Sequence, residues 1–310
     1  MIVALAGGIG AAKLLEGICA EIPPEDLFVV VNTGDDRTFF GLHVSPDLDI
    51  VTYTLAGVVD PVKRWGWKED TFVTLESLRR YYGSQDTWFG LGDKDLATHL
   101  FRTDLLRQGK RLSDAADAIR VRLGVKSQVV PMSDDPQETH VVTPAGAMHF
   151  EEYLVRHQTE VEVTGVEFKT RGPVKPAPGV IEAIRESERV VICPSNPVVS
   201  IGPILAVPGV RDVLKTYKFK VVAVSPIVEG KPVKGPADKL MKALGHEVSC
   251  VGVARLYQDV ASTFVIDERD RELAPAVEKL GYEVVVTNTM MTDLNSKSAL
   301  ARACLGVGTR

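Results

Sequence analysis

Six short runs of nearly uninterrupted apolar, largely β-branched residues constrain this 310-residue chain more than any other feature. They are Ile2 to Ala6, Leu27 to Val31, Val190 to Cys193, Val221 to Val224, Thr263 to Ile266 and Val284 to Thr287. A strand with one wet face alternates apolar and polar residues. A run without alternation must be covered on both faces, as in a parallel sheet flanked by helices. Stretches with helical spacing separate the runs, beginning at Ala11 to Ala20, where Leu14, Leu15 and Ile18 share a face. The fold expected is therefore α/β, with a doubly wound, mostly parallel, Rossmann-like sheet.

Between the second and third runs this pattern breaks. From Asp60 to about Val125 helical patterns take over, with Asp95 able to cap a helix through Leu106 and Ser113 the next. Gln128 to Pro131, His140 to Thr143, Met148 to Leu154 and Val161 to Phe168 read as short strands joined as hairpins rather than crossovers. The expected organisation is a Rossmann-like nucleotide-binding core from residues 1–59 and 170–310. Residues 60–169 form an inserted subdomain, a helical segment followed by a small β appendage.

Composition narrows the function. At 45% hydrophobic and 25% charged residues the chain is ordinary for a globular protein, and its net charge of −5 offers no bulk basic field for nucleic acid or an anionic membrane. Cys19, Cys193, Cys250 and Cys304 are too scattered for a zinc site or a disulfide framework, which fits a reducing, cytoplasmic setting. The opening MIVALAGGIG lacks a basic segment and is interrupted by glycines, so it does not read as a signal peptide. No apolar stretch approaches the roughly 18 residues that a membrane span needs.

In an open parallel sheet ligands collect beyond the carboxyl ends of the strands. After the first run comes AGGIGAAK, where Gly7, Gly8 and Gly10 let backbone N–H groups approach an anion and Lys13 lies one turn further on. A plain strand-to-helix turn with a surface lysine would read the same way. After the second run come Asn32, Asp35 and Asp36, then Asp47 and Asp49 in PDLDIVTYTLAG. Carboxylates beside a phosphate site repel the ligand unless a hard cation such as Mg²⁺ lies between them. Taken singly, these aspartates also suit a turn and a helix cap. In WFGLGDKDLATH, Trp88 or Phe89 can stack on a flat ring while Asp93, Lys94 and Asp95 meet its polar end, although core packing and capping need the same residues. Ser195 and Asn196, after the third run, suit phosphates or a base edge, or a proline-rich turn; Lys231 and Lys234 follow the fourth.

Together AGGIGAAK, NTGDD, SPDLDIVTYTLAG, DTWFGLGDKDLATH, SDDPQETHVV, PSNPVVSIGPILAVPGVR and SPIVEGKPVKGPADK resemble the 2-phospho-L-lactate transferase family of coenzyme F420 biosynthesis, CofD or FbiA. These strings cover nearly the whole chain, and the C-terminal stretch around NTMMTD carries less of the signature. The resemblance implies a Mg²⁺-dependent transferase. Such an enzyme moves 2-phospho-L-lactate, or phosphoenolpyruvate, from a guanosine diphosphate-activated donor (lactyl-2-diphospho-5'-guanosine) to the ribityl hydroxyl of the deazaflavin Fo (7,8-didemethyl-8-hydroxy-5-deazariboflavin), releasing GMP. It assigns the nucleotide to Gly7, Gly8, Gly10, Lys13, Asn32, Ser195 and Asn196, and Fo to Asp49, Trp88, Phe89, Asp93, Lys94 and Asp95. Asp49 and Asp35 are the implied catalytic pair and metal ligands, Asp49 acting as ligand or as orienter of the attacking hydroxyl. The partners implied are small molecules, with no nucleic acid or membrane and with room for a homodimer. The alternative is a nucleotide-sugar-binding regulator of the gluconeogenesis-factor type. A dehydrogenase would want G-x-G-x-x-G and an acidic residue closing the second strand, where Asn32 stands instead.

Overall fold

The structure, a computed structural model, describes residues 1–306. Seven strands form one parallel sheet: β1 (Ile2–Ala6), β2 (Leu27–Val31), β3 (Gln128–Pro131), β4 (Arg189–Ile192), β5 (Val221–Val224), β6 (Thr263–Asp267) and β7 (Glu283–Thr287). Their order across the sheet is β7-β6-β5-β4-β1-β2-β3. The chain therefore travels outward from β1 to β3 and returns to lay β4 on the other side of β1, leaving a crevice where the direction reverses. Every residue of β1 is buried. Val3, Leu5, Val190 and Ile192 enter one apolar core while Ala4, Ala6 and Val191 enter another on the opposite face, so the alternation expected of strands survives inside runs that are apolar throughout.

The connection from β2 to β3 contains four helices, α2 (Pro46–Leu55), α3 (Val73–Tyr82), α4 (Asp93–Arg107) and α5 (Leu112–Arg122). The expectation that Gln128 to Pro131 belongs to the β appendage is corrected: these residues pair in parallel with β2, from Phe28 opposite Gln128 to Val31 opposite Pro131. Proline is tolerated there because β3 is an edge strand. The appendage that remains is a three-stranded antiparallel sheet, Gln137–Thr143 between Gly146–His149 and Gly165–Thr170. The strand read over Met148 to Leu154 ends at His149 and gives way to a helical turn, Glu152–Arg156.

Two capping assignments are also corrected. Asp95 lies inside α4, whose first amides are held by Asp70: its carboxylate accepts the N–H groups of Lys94 at 2.8 Å and Asp95 at 3.2 Å. Asp93 in turn accepts those of Val73 and Thr74 at 3.1 and 2.9 Å, so α3 and α4 cap each other. Ser113 sits within the first turn of α5 and bonds Asp134 through its N–H and hydroxyl. All four cysteines are free, and among the described residues no helix is long and apolar enough to cross a membrane.

The first helix, α1 (Gly8–Glu21), packs along the C-terminal helix Leu294–Leu305 at very close range. A Cβ on Gly17 would lie 2.3 Å from the Lys297 carbonyl oxygen. Gly17→Ala should therefore lower the urea midpoint at unchanged m-value, by about 1–3 kcal/mol of overpacking, although alanine is the better helix former. An unchanged or raised midpoint would contradict this packing.

Candidate functional site

The crevice between β1 and β4 is closed at its base by one hydroxyl. Ser195 Oγ accepts the Gly7 N–H at 3.2 Å and donates to the Gly7 carbonyl at 2.7 Å, tying the loop after β1 to the loop after β4. The glycines follow from that proximity. A Cβ on Gly10 would stand 2.4 Å from the Pro194 carbonyl oxygen, and one on Gly7 would stand 2.7 Å from Ser200 Cβ and 2.8 Å from Asp47 Oδ2. Gly8 has φ +70°, a conformation that disfavours a side chain. Asn196 shapes its own turn, its Oδ1 accepting the N–H groups of Val198 and Val199. Lys13 donates to the Met291 carbonyl at 3.1 Å. Burial, then the fields of Arg64, Lys297 and Lys234, lower its pKa.

Four carboxylates gather beside this loop. Asn32, with no exposed surface, accepts the Gly34 N–H at 2.9 Å and donates to Asp47 Oδ2 at 2.8 Å. It thereby fixes Asp47 against the glycine loop. Asp36 Oδ2 accepts from the Ser45 hydroxyl at 2.7 Å and lies 2.9 Å from His43 Nε2. The remaining oxygens Asp35 Oδ1 and Asp36 Oδ1 are buried with no partner among the described residues. The fourth acid, Glu151, arrives from the β appendage and is 5% exposed. Sequence reasoning did not select it; the only signal is a Glu-Glu pair inside the apolar string MHFEEYLV. Burial first, and then the neighbouring charge of Asp47, pushes Glu151 up to about 8. Burial also raises Asp47 to about 6 against the hydrogen bonds from Asn32 and the Gly8 backbone. Asp35 is raised well above the carboxylate range by burial, then by Asp47, Glu151 and Asp36. Among the described residues only Asp49, Asp95 and His99 bring three ligand atoms within 4.8 Å of one another, so a hard divalent cation held by Asp35, Asp47 and Glu151 would have to draw these carboxylates together.

Asp49 faces elsewhere. Two helical residues beyond Asp47, it points about 200° round α2. There the Arg102 guanidinium holds both of its oxygens, through Nη1 to Oδ2 at 3.1 Å and through Nη2 to Oδ1. His99 lies between two acids, its Nδ1 3.7 Å from Asp49 Oδ2 and its Nε2 3.4 Å from Asp95 Oδ1, which also accepts the Tyr53 hydroxyl at 2.8 Å. The whole network is buried. The ligand atoms of Asp49, Asp95 and His99 lie within 4.8 Å of one another, but Arg102 already supplies Asp49 with a cation. Asp35 shares its surroundings with Asp47, Glu151 and Asp36, whereas Asp49 shares its own with Arg102, His99 and Asp95.

The aromatic turn forms a half-buried wall. Phe89 stacks on Phe39 at 4.4 Å between ring centres, Trp88 meets Phe39 edge-on at 5.3 Å, and the Arg37 guanidinium lies 5.3 Å from the Trp88 ring. Asp93 and Lys94 have other partners. Asp93 caps α3, and the Lys94 ammonium donates to the Lys68 carbonyl at 2.9 Å.

The family model described as 2-phospho-L-lactate transferase CofD matches residues 2–300. The chain belongs to this family. A 2-phospho-L-lactate transferase of Methanosarcina mazei is 43% identical over 295 residues, covering 95% of this chain and 96% of that protein. A phosphoenolpyruvate transferase of Kitasatospora aureofaciens is 42% identical over 312 residues, covering 99% and 97%. Among solved structures, a Bacillus halodurans protein of the UPF0052 family matches with a TM-score of 0.63 over 98% of both chains at 17% identity, a likeness of fold. Membership in the CofD family makes this chain a transferase.

The crowded acids carry a pH signature. Glu151, near 8 in the folded protein against 4.5 as its ordinary value, keeps a proton that the unfolded chain releases across that interval. Stability therefore falls as pH rises from about 5 to 8 when EDTA removes divalent cations. Glu151→Gln removes this titration and should flatten the fall. Urea midpoints measured at several pH values test it; an identical slope in wild type and variant would contradict the burial of this acid.

Proposed function

We propose that the protein transfers 2-phospho-L-lactate, or its phosphoenolpyruvate equivalent, from a guanosine diphosphate-activated donor to the ribityl hydroxyl of the deazaflavin Fo, with release of GMP. Relatives of both donor names match this chain at nearly equal identity, so the reading covers both donors. The observation that supports it best is the division made by α2. Asp47 faces the glycine loop and Asp49 faces the α4 network, giving a two-substrate reaction one acidic element between two binding regions.

On the donor side, the crevice between β1 and β4 takes the diphosphate near Gly8, Gly10, Asn196 and Lys13, while Ser195 and Asn32 hold the walls. Asp35, Asp47 and Glu151 would hold Mg²⁺, and the unpartnered Asp35 oxygen and the oxygen-only donor set fit that ion. When bound, the ion supplies neutralisation of phosphate charge. On the acceptor side, Trp88 and Phe89 give the flat ring an apolar wall. The ribityl oxygen forms a new bond to the phosphorus bearing lactate, the bond from that phosphorus to the GMP portion breaks, and GMP leaves with the electron pair. Asp49, held by Arg102 yet retaining free lone pairs, orients the hydroxyl and receives its proton late in the transfer. Positioning and charge neutralisation account for most of the rate, and no covalent enzyme intermediate is needed. A cytoplasmic enzyme acting on small molecules, with a homodimer as its assembly, completes the reading.

Mixing the protein with Fo, Mg²⁺ and each activated donor should release GMP and form a phosphorylated deazaflavin. Asp49→Asn should cut turnover by orders of magnitude and, by leaving the Arg102 charge uncompensated, lower the melting temperature, so turnover is compared at a temperature where circular dichroism shows the variant folded. Trp88→Ala should weaken Fo binding several-fold, followed by fluorescence, and leave GDP affinity unchanged. GDP binding without GMP release from any donor would overturn this assignment of donor and acceptor.

A further inference from the structure

Two cavities share one wall residue, Arg211, and differ in character. Neither is lined by any residue of the glycine loop or of the acid cluster. The first, of about 390 Å³, is bounded by the appendage strand Gly165–Thr170 and the helices Ile201–Ala206 and Cys250–Tyr257. Phe168, Leu205 and Leu256 give it apolar walls. The appendage sits tightly on the helix here, since a Cβ on Gly202 would stand 3.3 Å from the Phe168 ring. The second cavity, of about 470 Å³, is lined by Arg211, Lys218, Arg255 and Asp259 among others. Lys218, Asp259 and Leu280, which also lines it, come just before β5, β6 and β7, so this cavity lies at the amino ends of the strands, the sheet edge opposite the crevice.

The second cavity is basic although the chain carries a net charge of −5. Four cations, Arg211, Lys215, Lys218 and Arg255, gather there with two acids, Asp259 and Glu247. Asp259 is shared: Arg211 Nε donates to its Oδ2 at 2.8 Å, and Lys215 Nζ lies 3.2 Å from the same oxygen. The Lys218 ammonium donates to the Gln258 carbonyl at 2.6 Å and has no carboxylate. Arg211 commits Nε and Nη2 to Asp259 and the Leu256 carbonyl, which leaves Nη1 without a partner among the described residues. Tyr257 lines the first cavity, is 1% exposed, and its hydroxyl has no partner either. Buried hydroxyls are seldom left this way, because the lost hydrogen bond is not replaced. Both groups are donors that a bound acidic group would satisfy.

We infer that the two cavities form a further binding site, for a small amphipathic anion whose apolar body lies against Phe168, Leu205 and Leu256 and whose terminal carboxylate or phosphate meets Arg211 and Lys218. A volume of about 390 Å³ falls within the roughly 300–1,000 Å³ of small-molecule sites. The guanidinium fork matches the oxygens of either head group, and the surplus of positive charge favours an anion over a neutral ligand.

Calorimetric titration of octanoate, octyl phosphate and octanol against the wild type, Ala206→Phe and Arg211→Gln tests the site. Ala206 is exposed and lines the first cavity, so phenylalanine there fills the space without entering the core. The Arg211 side chain is 39% exposed, and Lys215 still neutralises Asp259 when it is replaced. Both variants should therefore stay folded, which circular dichroism checks first. The wild type should bind the two anions saturably and octanol at least tenfold more weakly. Ala206→Phe should weaken both anions about tenfold, and Arg211→Gln should weaken them about tenfold while leaving octanol unmoved. Whichever anion binds more tightly names the head group, and either supports the site. Saturating GDP should leave these affinities unchanged; competition would place the anions in the crevice and overturn the proposal. Octanol binding as tightly as the anions, equal anion affinity in all three proteins, or no saturable anion binding by the wild type overturns it as well.

Discussion

Two residues two positions apart on an α-helix point to nearly opposite sides, and on α2 those residues are aspartates. Asp47 is drawn toward β1 by Asn32, which follows β2, and Asp49 is drawn toward α4 by Arg102. The first contact keeps a carboxylate against the glycine loop. The second seats the inserted helices on the core, because Arg102 lies on α4 and Tyr53, Asp95 and His99 extend the same buried network. Removing one partner from a buried ion pair of this kind leaves an uncompensated charge, at a cost of about 3–5 kcal/mol. The geometry of α2 therefore decides both where the acids face and where the aromatic wall stands.

The sheet supplies the complementary constraint. Strand order places the loops after β1 and β4 side by side, and the Ser195 hydroxyl bonds both polar groups of Gly7. Glycine at positions 7 and 10 is then required by contact with Ser200, Asp47 and Pro194 rather than by a ligand. This changes the meaning of the motif. Its glycines bring two loops together, and the loops make the crevice.

The parallel core was legible because apolar runs that do not alternate have few other uses, and six of its seven strands stand out on that ground. The seventh, β3, was hidden: it is four residues long, ends in proline and follows a long helical crossover, so it resembles the hairpins after it. At the site, single residues were easier to name than their partners. Asp35, Asp49, Ser195 and Trp88 could be chosen from their places after strands and turns. Arg102 and Glu151 could not, since each lies far along the chain from the acid it adjoins and sits in a stretch that reads as ordinary helix or strand; His99 could be paired with Asp95 by its helical spacing of four, but not with Asp49. Asp93 and Asp95 were ambiguous because a carboxylate at a helix start serves a cap or a ligand equally well, and the capping partner, Asp70, lies across a turn.

The claim that α2 separates a cation-bearing donor side from an acceptor side is tested most directly by crystals grown with GDP and Mn²⁺, read by the anomalous signal of the metal. The account predicts one peak among Asp35, Asp47 and Glu151, beside the diphosphate, with Arg102 still on Asp49. A peak between Asp49, Asp95 and His99, with Arg102 displaced, would contradict it.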